Sequence, residues 1–215
     1  IAHIEGGASS GQNVIDTRVR NAISNLADFH FVTDEQARRT VAHLTGSYEV
    51  YDVGSLDVAF ASKVAGKKSK AKQDSILLLH HAIPGEDTEI LLEALIPLGT
   101  KIIGVKSNSD YKQSLMNEEY SPEEFISLMQ NAGVMVGNSS SICKEASILG
   151  TPCVLTGTRQ DGRVTGHNVI RVPHKVKEIR RAVEWQLWHG QYEPDRVYYK
   201  PNTEKNIARI LKRFV

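Results

Sequence analysis

The chain has 215 residues, 40% hydrophobic and 24% charged, with a net charge of +1. That is ordinary globular composition with enough apolar side chains for a sizeable core, and the near-zero charge gives no sign of the broad basic face that nucleic-acid binding usually needs. No apolar run approaches the ~20 residues of a membrane span, and no signal-peptide pattern stands at the front.

Two cysteines, Cys143 and Cys153, make neither a disulfide framework nor a metal-ligand spacing and fit a reducing compartment. A cytoplasmic setting is expected. The first residues, IAHIEGG, lack Met and run an apolar strand directly into a glycine turn. This predicts that the chain is a fragment with a segment missing upstream.

After the opening strand, Ile15, Val19, Ala22, Ile23 and Leu26 recur at helical spacing. FHFVT (29–33) reads as a strand, and Asp34 is placed to cap a helix through Leu44. YEVYDVGSLD carries a short strand to a turn. AGKKSKAKQD (65–74) is polar and lysine-rich, a solvated tether rather than a nucleic-acid contact. Strands are then predicted at 75–83, 101–108, 134–139, 152–157 and 168–172, apolar on both faces, with helices at about 87–97, 121–131, 140–149 and 175–188. A last helix, about 203–214, follows Pro201-Asn202. Alternating strands and helices of this kind specify an α/β fold with a doubly wound parallel sheet. His43, His174 and His189 have no motif around them and are expected at the surface; Trp185 and Trp188 are expected to pack.

GNSSSICKEASILGTP (137–152) places three serines where a strand ends and a helix begins. Ligands of open α/β sheets bind beyond the carboxyl ends of strands, and free N–H groups at a helix start favour anions. Glu145 falls about 9 Å along a straight helix from Ser139, at ~1.5 Å per residue. That offset suits a carboxylate on a ribose diol with a diphosphate at the helix start. The plain alternative is an N-cap at Ser139 and a solvated Glu145. GTRQDGRVTG (157–166) adds Arg159 and Arg163 among three glycines, and guanidinium groups grip phosphates with paired hydrogen bonds.

Together HIEGG (3–7), GNSSSICKEASILGTP and GTRQDGRVTGHNV (157–169) resemble, in order, the signature segments of the UDP-N-acetylglucosamine 2-epimerases, particularly the hydrolysing branch of sialic-acid biosynthesis. The resemblance implies a GT-B-like architecture of two Rossmann-like domains. Residues 1–56 would end the first domain, 57–200 would form the second, nucleotide-binding one, and 201–215 would return to the first. It implies UDP-phosphate contacts from Ser139, Ser140, Arg159, Arg163 and Arg20, and ribose binding by Glu145. His3, Glu5, Asp16, His30 and His81 would be the catalytic candidates, with His80 turned to the other sheet face. Taken without the resemblance, His3 and His30 read equally as core histidines, and Asp16 with Arg20 as a surface i,i+4 pair. The family's acidic residue on an earlier strand has no counterpart here, and YYKPN (198–202) replaces its glycine-rich turn.

The implied reaction eliminates UDP from UDP-N-acetylglucosamine to give 2-acetamidoglucal, then adds water to give N-acetylmannosamine. It calls for no metal and no cofactor. A homodimer is expected, as among relatives. The alternatives are a non-hydrolysing 2-epimerase, a GT-B glycosyltransferase, or a nucleotide-sugar-binding module without catalysis.

Overall fold

The computed structural model describes residues 1–8, 15–66, 75–81, 83–105 and 120–214, without the side chain of Asp16. Most of the expected tether, from 67 to 74, and the end of the strand expected at 101–108 therefore lie outside the described residues. In chain order the backbone forms β1 (Ala2–Ile4), α1 (Ile15–Leu26), β2 (Phe29–Val32), α2 (Glu35–Thr45), β3 (Val50–Asp52) and α3 (Leu56–Val64). There follow β4 (Ser75–Leu79), α4 (Thr88–Leu95), β5 (Lys101–Gly104), α5 (Pro122–Asn131), β6 (Val134–Gly137), α6 (Ser140–Cys143) and α7 (Glu145–Leu149). The chain ends with β7 (Cys153–Thr156), β8 (Val169–Val172), α8 (Val176–His189) and α9 (Thr203–Leu211). Two compact units result: Ile1–Lys63 with Arg159–Val164 and Arg196–Val215, and Val64–Thr158 with Thr165–Asp195. The expected boundary after residue 56 falls at the start of α3, whose residues to Lys63 group with the first unit.

In the first unit, β1, β2 and β3 form a parallel sheet in that order. Alternation along the strands sends Phe31 and Val53 against Ile207 and Ile210 of α9, and Val32 against Ala37 and Val41 of α2. Asp34 caps α2 by accepting a hydrogen bond from the Ala37 N–H at 2.9 Å. Gly46 closes the helix in the left-handed region. α1 reverses the usual amphipathic logic: Ile15 and Leu26 are 74% and 72% exposed, whereas Ser24 is fully buried. The strand-and-turn reading of YEVYDVGSLD ends at Asp57 and assigns no element to 58–64, where α3 runs. LDVAFASKV buries Val58, Ala59 and Ala61 and shows little apolar period, so periodicity did not reveal it.

In the second unit a five-stranded parallel sheet runs β5-β4-β6-β7-β8. Ile76, Leu78, Val134, Val136 and Val154 on one face pack against Leu91, Ala94 and Leu95 of α4 and against Ile179 and Val183 of α8. α6 contacts β6 and β7, with Ile142, Cys143, Met135 and Cys153 all fully buried. A capping box starts α5: the Ser121 hydroxyl accepts from the Glu124 N–H, and the Glu124 carboxylate accepts from the Ser121 N–H. Such strands, apolar on both faces, are what helices covering a parallel sheet require.

Two expectations fail in this unit. Trp185 and Trp188 are 44% and 80% exposed rather than packed, with the Trp185 ring stacked on His189 at 4.9 Å. Helical spacing marks a shared face but not which way that face turns. His174 is half-buried instead of free at the surface, because its ring stacks on His80 at 5.5 Å and meets the Asp87 carbonyl at 2.9 Å. Among the described residues, no helix is long and apolar enough to cross a membrane.

Candidate functional site

The order β5-β4-β6 makes the carboxyl edge between β4 and β6 a topological switch point, since chain connections leave the two strands in opposite directions. Open α/β sheets take ligands at such crevices. Gly137 ends β6 at φ +141, and the Asn138 and Ser139 N–H groups both donate to the Leu79 carbonyl, at 3.1 and 3.2 Å. Beside them Asn138 is fully buried: its Oδ1 accepts from the His81 N–H at 2.8 Å and its Nδ2 donates to the His81 carbonyl at 2.9 Å. His81, Ser139 and Ser140, all half-buried, are thereby gathered at one strand edge. His80 points away, buried, with Nε2 3.0 Å from the Glu86 carbonyl oxygen.

Ser139 is the N-cap of α6, its hydroxyl accepting from the Ser141 N–H at 3.4 Å. The helix expected over 140–149 is broken at Lys144 (φ −96, ψ −82) into α6 and α7. After the break the Lys144 carbonyl accepts both the Ser147 N–H, at 3.1 Å, and the Ser147 hydroxyl, at 2.6 Å. The straight-helix offset of Glu145 therefore does not hold. Its Oε1 lies 3.4 Å from the Ser141 hydroxyl, so serines and carboxylate share one patch.

The first unit holds the remaining candidates. His3 and His30 are register partners on β1 and β2 and so lie on the same sheet face. His3 Nδ1 is 3.0 Å from the Ser24 hydroxyl, and Arg20 donates to the Ala8 carbonyl at 2.9 Å. Glu5 is left-handed at φ 62, unusual for a residue with a Cβ. Its Oε1 accepts from the Ser55 hydroxyl at 2.7 Å and from the Leu56 N–H at 3.2 Å, closing the start of α3. Arg159 and Arg163 are half-buried in the 159–164 segment, which belongs to this unit, whereas Ser139, Ser140 and Glu145 belong to the second. The side chain of Asp16 lies outside the described residues. Asn138 was missed from sequence, because its partners are 57 residues away.

Burial, reinforced by the neighbouring His30 and Arg20, holds the His3 imidazole below its ordinary pKa; burial does the same to His30 against the pull of Asp28. His30 is fully buried, and neither ring nitrogen has a hydrogen-bond partner among the described residues. The unfolded chain takes up these protons near the ordinary value of 6.5, the folded unit only at lower pH. The stability linked to them is therefore fully present above that value and is lost as pH falls through the depressed ones. Amide exchange in β1 and β2 should accelerate between about pH 7 and about pH 5, after correction for intrinsic rates, and His30→Leu should flatten the change.

A profile of the family described as UDP-N-acetylglucosamine 2-epimerase matches residues 1–212. The UDP-N-acetylglucosamine 2-epimerase of Neisseria meningitidis is 27% identical over 239 residues, covering 98% of this chain and 63% of the relative. The UDP-N,N'-diacetylbacillosamine 2-epimerase (hydrolyzing) of Legionella pneumophila is 29% identical over 243 residues, with coverages of 99% and 64%. The chain thus spans less than two thirds of the length of these curated relatives. Among solved structures, Staphylococcus aureus MnaA with UDP superposes with a TM-score of 0.77 at 16% identity, covering 99% of this chain and 67% of that one. The Methanocaldococcus jannaschii UDP-GlcNAc 2-epimerase in complex with UDP-GlcNAc and UDP gives 0.77 at 20% identity, with coverages of 99% and 68%. These likenesses establish a GT-B-like α/β fold. With the profile spanning nearly every residue, the chain belongs to the UDP-N-acetylglucosamine 2-epimerase family.

Proposed function

We propose that the protein is a hydrolysing UDP-N-acetylglucosamine 2-epimerase, converting its nucleotide sugar and water to N-acetylmannosamine and UDP. The observation that carries this reading is the family match over residues 1–212. The hydrolysing form is supported by the name of the Legionella relative and by the GNSSS and TRQDGR segments. That relative's name also makes a diacetamido-trideoxy sugar a natural substrate class to test. A non-hydrolysing epimerase is the second reading, since the name of the Neisseria relative specifies no hydrolysis either way.

In the first step the C2–H and C1–O bonds break, a C1–C2 double bond forms, and UDP departs. Water then adds at C1 while a proton reaches C2 on the opposite face. We assign Ser139 and Ser140 to the phosphates and Glu145 to the ribose hydroxyls, which a carboxylate accepts well. Arg159, Arg163 and Arg20 are assigned to phosphate charge, the kind of fixed electrostatics that lowers the barrier to a departing anion. His81 faces the sugar diphosphate in this reading. For proton transfer, Glu5 is preferred among His3, Glu5 and Asp16, because a non-glycine residue held left-handed costs about 1–3 kcal/mol and such strain gathers at functional positions. His30, fully buried, is assigned to the frame behind His3.

Incubation of the intact protein with UDP-N-acetylglucosamine in heavy water should release UDP and free N-acetylmannosamine carrying deuterium at C2. Recovery of UDP-N-acetylmannosamine would establish the non-hydrolysing form. UDP release without deuterium at C2 would reject epimerisation, and UDP binding without turnover would leave a binding module.

A further inference from the structure

Glu86 lies in the turn before α4, between exposed Gly85 and exposed Asp87, yet is only 4% exposed itself. A carboxylate is buried at heavy cost unless donors replace its water. Three do: Asn138 Nδ2 reaches Oε2 at 2.9 Å, and the Thr158 N–H and hydroxyl reach Oε1 at 2.6 and 3.2 Å. Gly157 makes room for the approach, since a Cβ at that position would collide with the Glu86 carboxylate.

The bonds form a chain that crosses the sheet edge. Thr158 follows β7, Glu86 belongs to the turn after β4, and Asn138 follows β6 and holds His81 by both its N–H and its carbonyl. The polarity of this chain is fixed. The Asn138 oxygen must face the His81 N–H, so its nitrogen must face both the His81 carbonyl and Glu86. A flip of the amide breaks all three bonds. We propose that Glu86 is a positioning residue that, through Asn138, fixes His81 and the start of α6 in register with the 157–158 turn, and so presets the nucleotide-diphosphate site. The proposal rests on the functional reading above for the identity of the ligand. Glu86 acts through Asn138 and Thr158 and does not itself meet the ligand.

Glu86→Gln keeps the shape but opposes one amide N–H₂ group to another donor, either at Asn138 or at Thr158. The double variant Glu86→Gln/Asn138→Asp restores a donor facing an acceptor between the two side chains at the same net charge, while setting a carboxylate oxygen against the His81 carbonyl that Asn138 Nδ2 meets at 2.9 Å. By calorimetry on the intact chain, the single variant should bind UDP roughly tenfold more weakly or worse, with part of the loss recovered in the double. Amide exchange measured without ligand should accelerate at His81 and Thr158 together in the single variant and slow again in the double. Undiminished UDP affinity in Glu86→Gln, or a loss the double variant leaves uncorrected, overturns the proposal. If the unsubstituted chain does not bind UDP, the functional reading fails. The clamp is then decided by exchange alone: linked rates at His81 and Thr158 sustain it, and independent rates overturn it.

Discussion

Gly137→Ala should destabilise the second unit by about 3 kcal/mol or more, at the severe end of single substitutions. Two effects combine at this position. The backbone sits at φ +141, where a side chain is strained, and an added Cβ would run into the Leu79 carbonyl, a backbone group with no rotamer to yield. The collision follows from the pinch at the sheet edge, where that same carbonyl accepts from both Asn138 and Ser139. Gly46 is the internal control. Its φ is also positive, at +68, but nothing lies within 4 Å of an added Cβ, so alanine there should cost only about 1 kcal/mol. Denaturant unfolding of the two variants separates strain alone from strain with collision. Equal losses at both positions would show that the β4–β6 edge relaxes freely.

Glu5→Gln should leave the fold nearly intact and remove most turnover. Glutamine retains an oxygen for the Ser55 hydroxyl and the Leu56 N–H, so the closure of α3 survives, at a loss of about 1 kcal/mol for the missing charge near a helix start. If Glu5 moves the C2 proton, the rate of UDP release should fall by about 10²–10⁴, the usual worth of a positioned acid or base. The two measurements are a melting curve and initial rates on UDP-N-acetylglucosamine. Unchanged rates with a lowered melting temperature would confine Glu5 to holding α3.

The parts of this molecule legible in its sequence are those governed by neighbours in the chain. Asp34 three residues before Ala37, Ser121 three before Glu124 and Gly150 after Leu149 each act within one turn, and each can be read directly. The apolar strands announce themselves for the same reason, and the three motifs that indicate the family are contiguous. What sequence could not disclose depends on partners brought in from afar. Glu86 meets Asn138 and Thr158 across 52 and 72 residues, and PGEDTE looks like any exposed turn before a helix. α3 stayed hidden because its apolar residues lack a period, whereas α1 forms where its stripe predicts a helix although that stripe lies on the exposed side.

The chain's two cysteines, both fully buried, lie in the second unit, and burial with the neighbouring Cys143 pushes the Cys153 thiol far from its reactive form. Alkylating reagents therefore gain access to sulfur only when that unit opens, and the first unit offers them no target. Native thiols thus act as a built-in clock for one half of the molecule: modification rates time its opening without any engineered label.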